Sequence, residues 1–101
     1  MFSIYRTETF NAWLTNIKDR RAAARIASRL LRAESGNLGD VKSVGGGISE
    51  MRIDYGRGYR VYFLRRGNLV IILLCGGDKS TQQADIAKAK KMAMDLKESD
   101  K

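Results

Sequence analysis

The chain has 101 residues, 44% hydrophobic and 30% charged, with a formal net charge of +8 and pI ≈ 10.0. That is enough for one domain with one modest core, and it contains no apolar run near the ~20 residues a membrane span needs. One cysteine and no histidine exclude an internal disulfide and every Ser-His or Cys-His arrangement, and leave no ligand set for a zinc site.

No metal, cofactor or membrane partner is expected. The start MFSIYRTETF lacks the charged-then-apolar order of a signal peptide, so the expected compartment is the cytoplasm. The positive excess favours polyanions: nucleic acid, the ribosome or an acidic protein.

Phe2 to Arg6 alternates apolar and polar residues and predicts a short first strand. Thr7 or Thr9 can cap the helix that follows. Phe10, Trp13, Leu14 and Ile17 fall at i, i+3, i+4 and i+7, one apolar stripe; Trp13 reads as a core anchor in that stripe ahead of a base-stacking platform. Asp19 can cap a second helix from Arg20 to about Glu34, with Ala23, Ile26, Ala27 and Leu30 inward. Arg21, Arg25, Arg29 and Arg32 fall opposite, as a solvated ridge that steers polyanions without reading sequence. The short connection predicts an antiparallel helical hairpin. Ser35 to Asp40 turns the chain, Val41 to Val44 can be a short strand, and Gly45-Gly46-Gly47 reads as a flexible connection, because no helix follows as a phosphate loop requires.

Ile48 to Lys79 predicts three strands joined by turns at Gly56–Gly58 and around Arg66-Gly67-Asn68. If the first hairpin pivots on Arg57, Met51, Ile53, Tyr55, Tyr59, Val61 and Phe63 share a core face. Glu50, Arg52, Asp54, Arg60 and Tyr62 then share the other. Leu69 to Cys75 is apolar on both faces and predicts a central, covered strand. Its expected pairing puts Val70, Ile72 and Leu74 on the core side, and Ile71, Leu73 and Cys75 on the Arg60 side. Ser80 and Gln83 match a capping box, and the last helix should run from about Thr81 to Leu96. Ile86, Ala89, Ala93 and Leu96 form its apolar stripe, with Met92 at the margin, as a lid over Ile71 and Leu73. Residues 98–101 should fray. The expected class is α+β in a single domain spanning 1–101: an N-terminal strand and helical hairpin on a curved antiparallel sheet, with a C-terminal helix.

Five motifs then occur in order: Phe10-x-x-Trp13-Leu14, Gly36-Asn37-x-Gly39-Asp40-Val41-Lys42, Glu50-Met51-Arg52-Ile53, Gly56-x-Gly58-Tyr59-Arg60-Val61-Tyr62-Phe63 and Gly76-Gly77-Asp78-Lys79-x-x-Gln82-x-x-Asp85-Ile86. The set resembles the RelE/ParE superfamily of toxins from type II toxin–antitoxin modules, and is most similar to its HigB-like group of addiction-module killer proteins. The resemblance implies the same fold. It also implies a cognate antitoxin, in the HigB-like group usually one with a helix-turn-helix domain. Most members of the superfamily cut messenger RNA in the ribosomal A site; the ParE branch poisons DNA gyrase without being an enzyme.

RNA is cut without a metal when the 2′-oxygen attacks the adjacent phosphate. The protein must then assist deprotonation, neutralise the phosphorane and protonate the leaving oxygen. The resemblance assigns Arg60, at the Gly-Tyr-Arg position, to the scissile phosphate; the alternative is an ion pair with Asp54. Lys79 stands where family ribonucleases carry a basic residue, or is a solvated lysine at the helix entry. Arg52 is a second phosphate ligand or the partner of Glu50. Tyr62 contacts RNA or packs on Leu73. Arg57 and Lys42 are further phosphate-binding candidates. Some family ribonucleases carry two lysines on the strand before Gly-Tyr-Arg, one of them proposed as the base. Here that strand carries Glu50 and Arg52, so Glu50 is the candidate base, with a structural ion pair as its alternative.

Overall fold

The computed structural model describes residues 1–99. Strand β1 (Ser3–Arg6) leads into helix α1 (Glu8–Thr15), where the Thr7 hydroxyl accepts from the Phe10 N–H at 3.0 Å. The same hydroxyl donates to the Leu74 carbonyl at 2.6 Å, which ties the helix start to the sheet. Asp19 caps α2 (Arg20–Glu34) by accepting from the N–H groups of Arg21 and Ala22. Strands β2 (Val41–Gly45), β3 (Ile48–Ile53), β4 (Tyr59–Arg66) and β5 (Val70–Gly77) follow. A 3-10 turn, Lys79–Thr81, then enters α3 (Gln82–Ser99). The sheet order is β1-β5-β4-β3-β2; β1 runs parallel to β5 and the other pairings are antiparallel.

This is the α+β architecture that the sequence pattern predicts. Helices α1 and α2 cover one face of the sheet, burying Phe10, Ile26 and Leu30 against Met51, Ile53, Val61 and Phe63. Helix α3 covers the other, with Ala89 and Ala93 on Ile48, Tyr62, Leu74 and Cys75. Helix α3 continues through Ser99; of the expected frayed end, positions 100 and 101 lie outside the described residues.

Several local expectations are corrected. The first hairpin pairs Met51 with Val61 and Ile53 with Tyr59, a register two residues away from the one an Arg57 pivot would give. A shift of two preserves which side chains share a face. It does place Arg52, and not Asp54, opposite Arg60; Asp54 lies past the end of β3 and is exposed, so the alternative offered for Arg60, an ion pair with Asp54, gives way to one with Glu50.

The second hairpin slips by one. Arg66 pairs with Val70 and Phe63 with Leu73, leaving three residues in the loop. Ile71 and Leu73 therefore enter the α1/α2 core and not the Arg60 side. A bulge between Leu73 and Cys75 then brings Tyr62 opposite Cys75. The lid helix accordingly covers Ile72, Leu74 and Cys75, and Tyr62 packs in that cluster rather than on Leu73.

On α2 the buried residues are Ala22, Ile26, Leu30 and Ala33, while Ala27 is exposed. Arg29 leaves the solvated ridge. Its guanidinium donates to the carbonyls of Arg52, Leu38 and Asp40, and burial is the largest cause of its lowered pKa.

The glycine triplet is a closed turn, not a flexible link. Gly45 pairs with Ile48 across a two-residue loop in which Gly46 and Gly47 have φ of 63° and 79°, as a primed hairpin turn demands. The expected Ser80–Gln83 capping box is replaced by Asp78, whose carboxylate accepts from the Ser80 N–H at 2.8 Å.

Candidate functional site

Register sets one row of the site: Arg52 on β3, Arg60 on β4 and Gly77 on β5 lie side by side. Glu50, two residues from Arg52, shares that face because side chains alternate along a strand. It is only 1% exposed. Its Oε1 lies 3.3 Å from Arg52 Nε and 3.6 Å from Arg60 Nε, and its Oε2 accepts from Gln82 Nε2 at 2.7 Å. A carboxylate taken this far out of water needs such partners. The two guanidiniums differ in access: the Arg52 side chain is 36% exposed and that of Arg60 10%.

Tyr62 faces Glu50 across the strands and is fully buried. Among the described residues its hydroxyl finds no hydrogen-bond partner, and neither do Glu50 Oε1, Arg52 Nε or Arg60 Nε, whose contacts are ionic only. Burial foremost, and then the Glu50 charge, push the Tyr62 pKa well above its ordinary value. Three of these four atoms thus meet one another as an ion-paired group, and the Tyr62 hydroxyl lies buried beside it.

The Gly76-Gly77 pair is explained by close approach from both sides of β5. The Trp13 ring lies where a Cβ on Gly76 would project; the Asp85 carboxylate and Thr81 hydroxyl lie where one on Gly77 would. The Thr81 hydroxyl also donates to that carboxylate. The pair thus lets α1 and the start of α3 close on opposite faces of the same strand end.

Beyond this strand end Lys79 is exposed, its stem laid over Gly58, whose φ of +73° excludes most side chains. The Lys79 N–H donates to the Arg57 carbonyl at 3.4 Å. Arg57, Asp78, Lys79 and Ser80 line a shallow pocket of about 440 Å³. The hydrogen bond from Ser80 foremost holds the Asp78 carboxyl below its usual range.

Of the residues singled out in the sequence, Glu50, Arg52, Arg60 and Tyr62 form one cluster. Arg57 and Lys79 form a second beside the β3–β4 turn. Lys42 is exposed on the edge strand, opposite Glu50. Gln82 was missed as the residue that closes over Glu50; the signal was its place three residues after Lys79 in the last motif.

Among the described residues no cluster of three or more His, Cys, Asp or Glu could hold a metal ion, and no helix is long and apolar enough to cross a membrane.

Comparison with known proteins gives the chain a class. The family model described as phage derived protein Gp49-like (DUF891) matches residues 12–97, and the chain belongs to that family, a family of type II toxins. It is similar to an uncharacterised protein of Haemophilus influenzae (strain Rd), with 53% identity over 93 residues, covering 92% of this chain and 94% of the relative. No solved structure matches it.

Proposed function

We propose that the protein is the toxin of a type II toxin–antitoxin pair that cuts messenger RNA on the ribosome and is neutralised by a cognate antitoxin of helix-turn-helix type. The observation that carries this is the set of cations at one end of the sheet. Glu50 draws Arg52 and Arg60 together, and exposed Arg57 and Lys79 stand at the adjoining turn. The resemblance to the HigB-like group supports the finer assignment.

In the reaction the 2′-oxygen forms a bond to phosphorus as the bond to the 5′-oxygen breaks. A 2′,3′-cyclic phosphate and a 5′-hydroxyl result. Arg52, the more open guanidinium, meets the phosphate first, and Arg60 behind it bears on the charge of the phosphorane. Lys79 donates the proton that the leaving 5′-oxygen takes. Lys42 guides the chain along the edge strand. Glu50, proposed from the sequence as base, is covered at Oε2 by Gln82. It takes the 2′-OH proton only when the first turn of α3 moves aside; with α3 in place that proton passes to solvent water and Glu50 positions the two arginines. Tyr62 backs this cluster from within.

The burial of Arg60 and Glu50 favours a second reading, a ParE-like gyrase inhibitor that is not an enzyme.

Induced expression of wild type and Arg60→Ala, with growth and messenger-RNA 5′ ends read together, tests the first. Wild type should arrest growth and create new 5′ ends. Loss of one transition-state donor should lower cleavage by ~10²–10³. Equal toxicity from a folded Arg60→Ala removes the site assignment. Growth arrest with intact transcripts and inhibited supercoiling by purified gyrase establishes the second reading instead.

A further inference from the structure

A cleft beside Arg57 takes no part in the mechanism above. It encloses about 550 Å³ between the end of α1, the start of α2 and the β3–β4 turn, within the ~300–1,000 Å³ of sites that enclose small molecules. Trp13 and Tyr59 give it aromatic walls; Asn16, Lys18, Asp19, Arg57 and Asp78 give it a polar rim. The Trp13 ring is half-buried and backed by Gly76, and lies 6.5 Å from the Tyr59 ring at an interplanar angle of 59°. Arg57 and Asp78 also line the pocket of Lys79, so the cleft and the cationic turn are continuous.

We propose that this cleft receives one unstacked base of a single-stranded RNA, packed against Trp13 and Tyr59, while Arg57 and Lys79 hold the adjoining phosphate. The inference rests on the ribonuclease reading and names how that site would grip its substrate. Aromatic walls next to cations are what single strands require: every base has a face to stack, and every nucleotide a phosphate.

The rim adds a preference. Asp19 and Asp78 each have one carboxylate oxygen held by backbone N–H groups, so both are anchored groups that can only accept. They favour bases with an exocyclic amine, adenine, cytosine or guanine, over uracil, which offers a single N–H.

Trp13 is the only tryptophan in the chain, so its fluorescence reports on the cleft directly. The full chain is titrated with a short single-stranded RNA, 2′-O-methylated so that it cannot be cut, and with an abasic oligomer of the same length. The intact strand should quench Trp13 saturably. The abasic strand should bind roughly five- to a hundredfold more weakly and leave the fluorescence unchanged. Oligo-adenylate should bind more tightly than oligo-uridylate. Asn16→Tyr, at an exposed helix end with ordinary αR backbone, should fill the cleft, abolish quenching and bring affinity to the abasic level without altering the melt.

Equal affinity for the two strands, binding without quenching, or no binding of either strand overturns the inference. Cleavage of translated message is read in parallel. Undiminished cleavage by Asn16→Tyr removes the cleft and leaves the nuclease standing; base-dependent quenching in a protein that cuts no message does the reverse.

Discussion

Replacing Glu50 by glutamine tests whether the cationic cluster is held together by one buried charge. The carboxylate is 1% exposed, with Arg52 and Arg60 Nε at 3.3 and 3.6 Å from one oxygen and Gln82 Nε2 at 2.7 Å from the other. Glu50→Gln keeps the volume, and Gln82 can turn its amide over to receive the new one, so the change isolates the charge. Removing one partner of a buried ion pair costs about 3–5 kcal/mol. Arg52 is 36% exposed and recovers water, so the lower end, ~3 kcal/mol, applies. A domain of this size has ~5–15 kcal/mol in total, and at ~4–8 °C per kcal/mol the melting temperature should fall by roughly 12–24 °C. Arg60→Met alone leaves Glu50 with Arg52 and Gln82 and should cost ~1–2 kcal/mol. In the double variant neither Glu50 nor Arg60 carries a charge, so its cost should stay near ~3 kcal/mol, a coupling of at least ~1 kcal/mol. Urea unfolding of the four proteins measures this. Costs that add within ~0.5 kcal/mol, or a Glu50→Gln cost below ~1 kcal/mol, refute the idea that Glu50 organises the arginines.

Two further outcomes are expected. Arg29→Met leaves the carbonyls of Arg52, Leu38 and Asp40 without their donor and should lower stability by ~1–3 kcal/mol, read from the urea midpoint at constant slope. Burial foremost pushes the Cys75 thiol from 9.0 up to about 11. The folded state therefore holds that proton more tightly than the unfolded chain. Its contribution, of order 2–3 kcal/mol, is complete below about pH 9 and is lost as pH rises through about 11. Wild type should lose more stability than Cys75→Ala between pH 8 and 11, and the native thiol should resist disulfide reagents until the chain unfolds.

What could be read in advance was what neighbours in sequence decide. Helix α2 falls at Arg20–Glu34, as expected, because Asp19 caps it locally and Gly36, at φ 104°, ends it. The faces of β3 and β4 were readable because polar and apolar residues alternate there, so phase survives a slip of two. In Leu69 to Leu74 every residue is apolar, and the pattern carries no phase. Only the three-residue loop and the bulge at Leu74 decide which side chains meet α3, and neither leaves a mark in hydrophobicity.

The candidate site divides in the same way. Alternation placed Glu50, Arg52, Arg60 and Tyr62 on one face; it could not say how deeply they lie. Depth comes from α3, whose first residue reaches across 32 positions to bond Glu50, and from Gly77, which lets Asp85 and Thr81 close on β5. Arg29 makes the same point from the other direction. A helical wheel sends it to solvent, but its long stem carries the guanidinium round to three backbone carbonyls. Long cationic side chains act where their heads arrive, so in a chain with 19 lysines and arginines the split between buried struts and exposed cations is a property of tertiary packing. Arg29 and Arg60 are drawn inward by carbonyls and a carboxylate, while Arg52, Arg57 and Lys79 keep their heads more open to solvent at this end of the sheet.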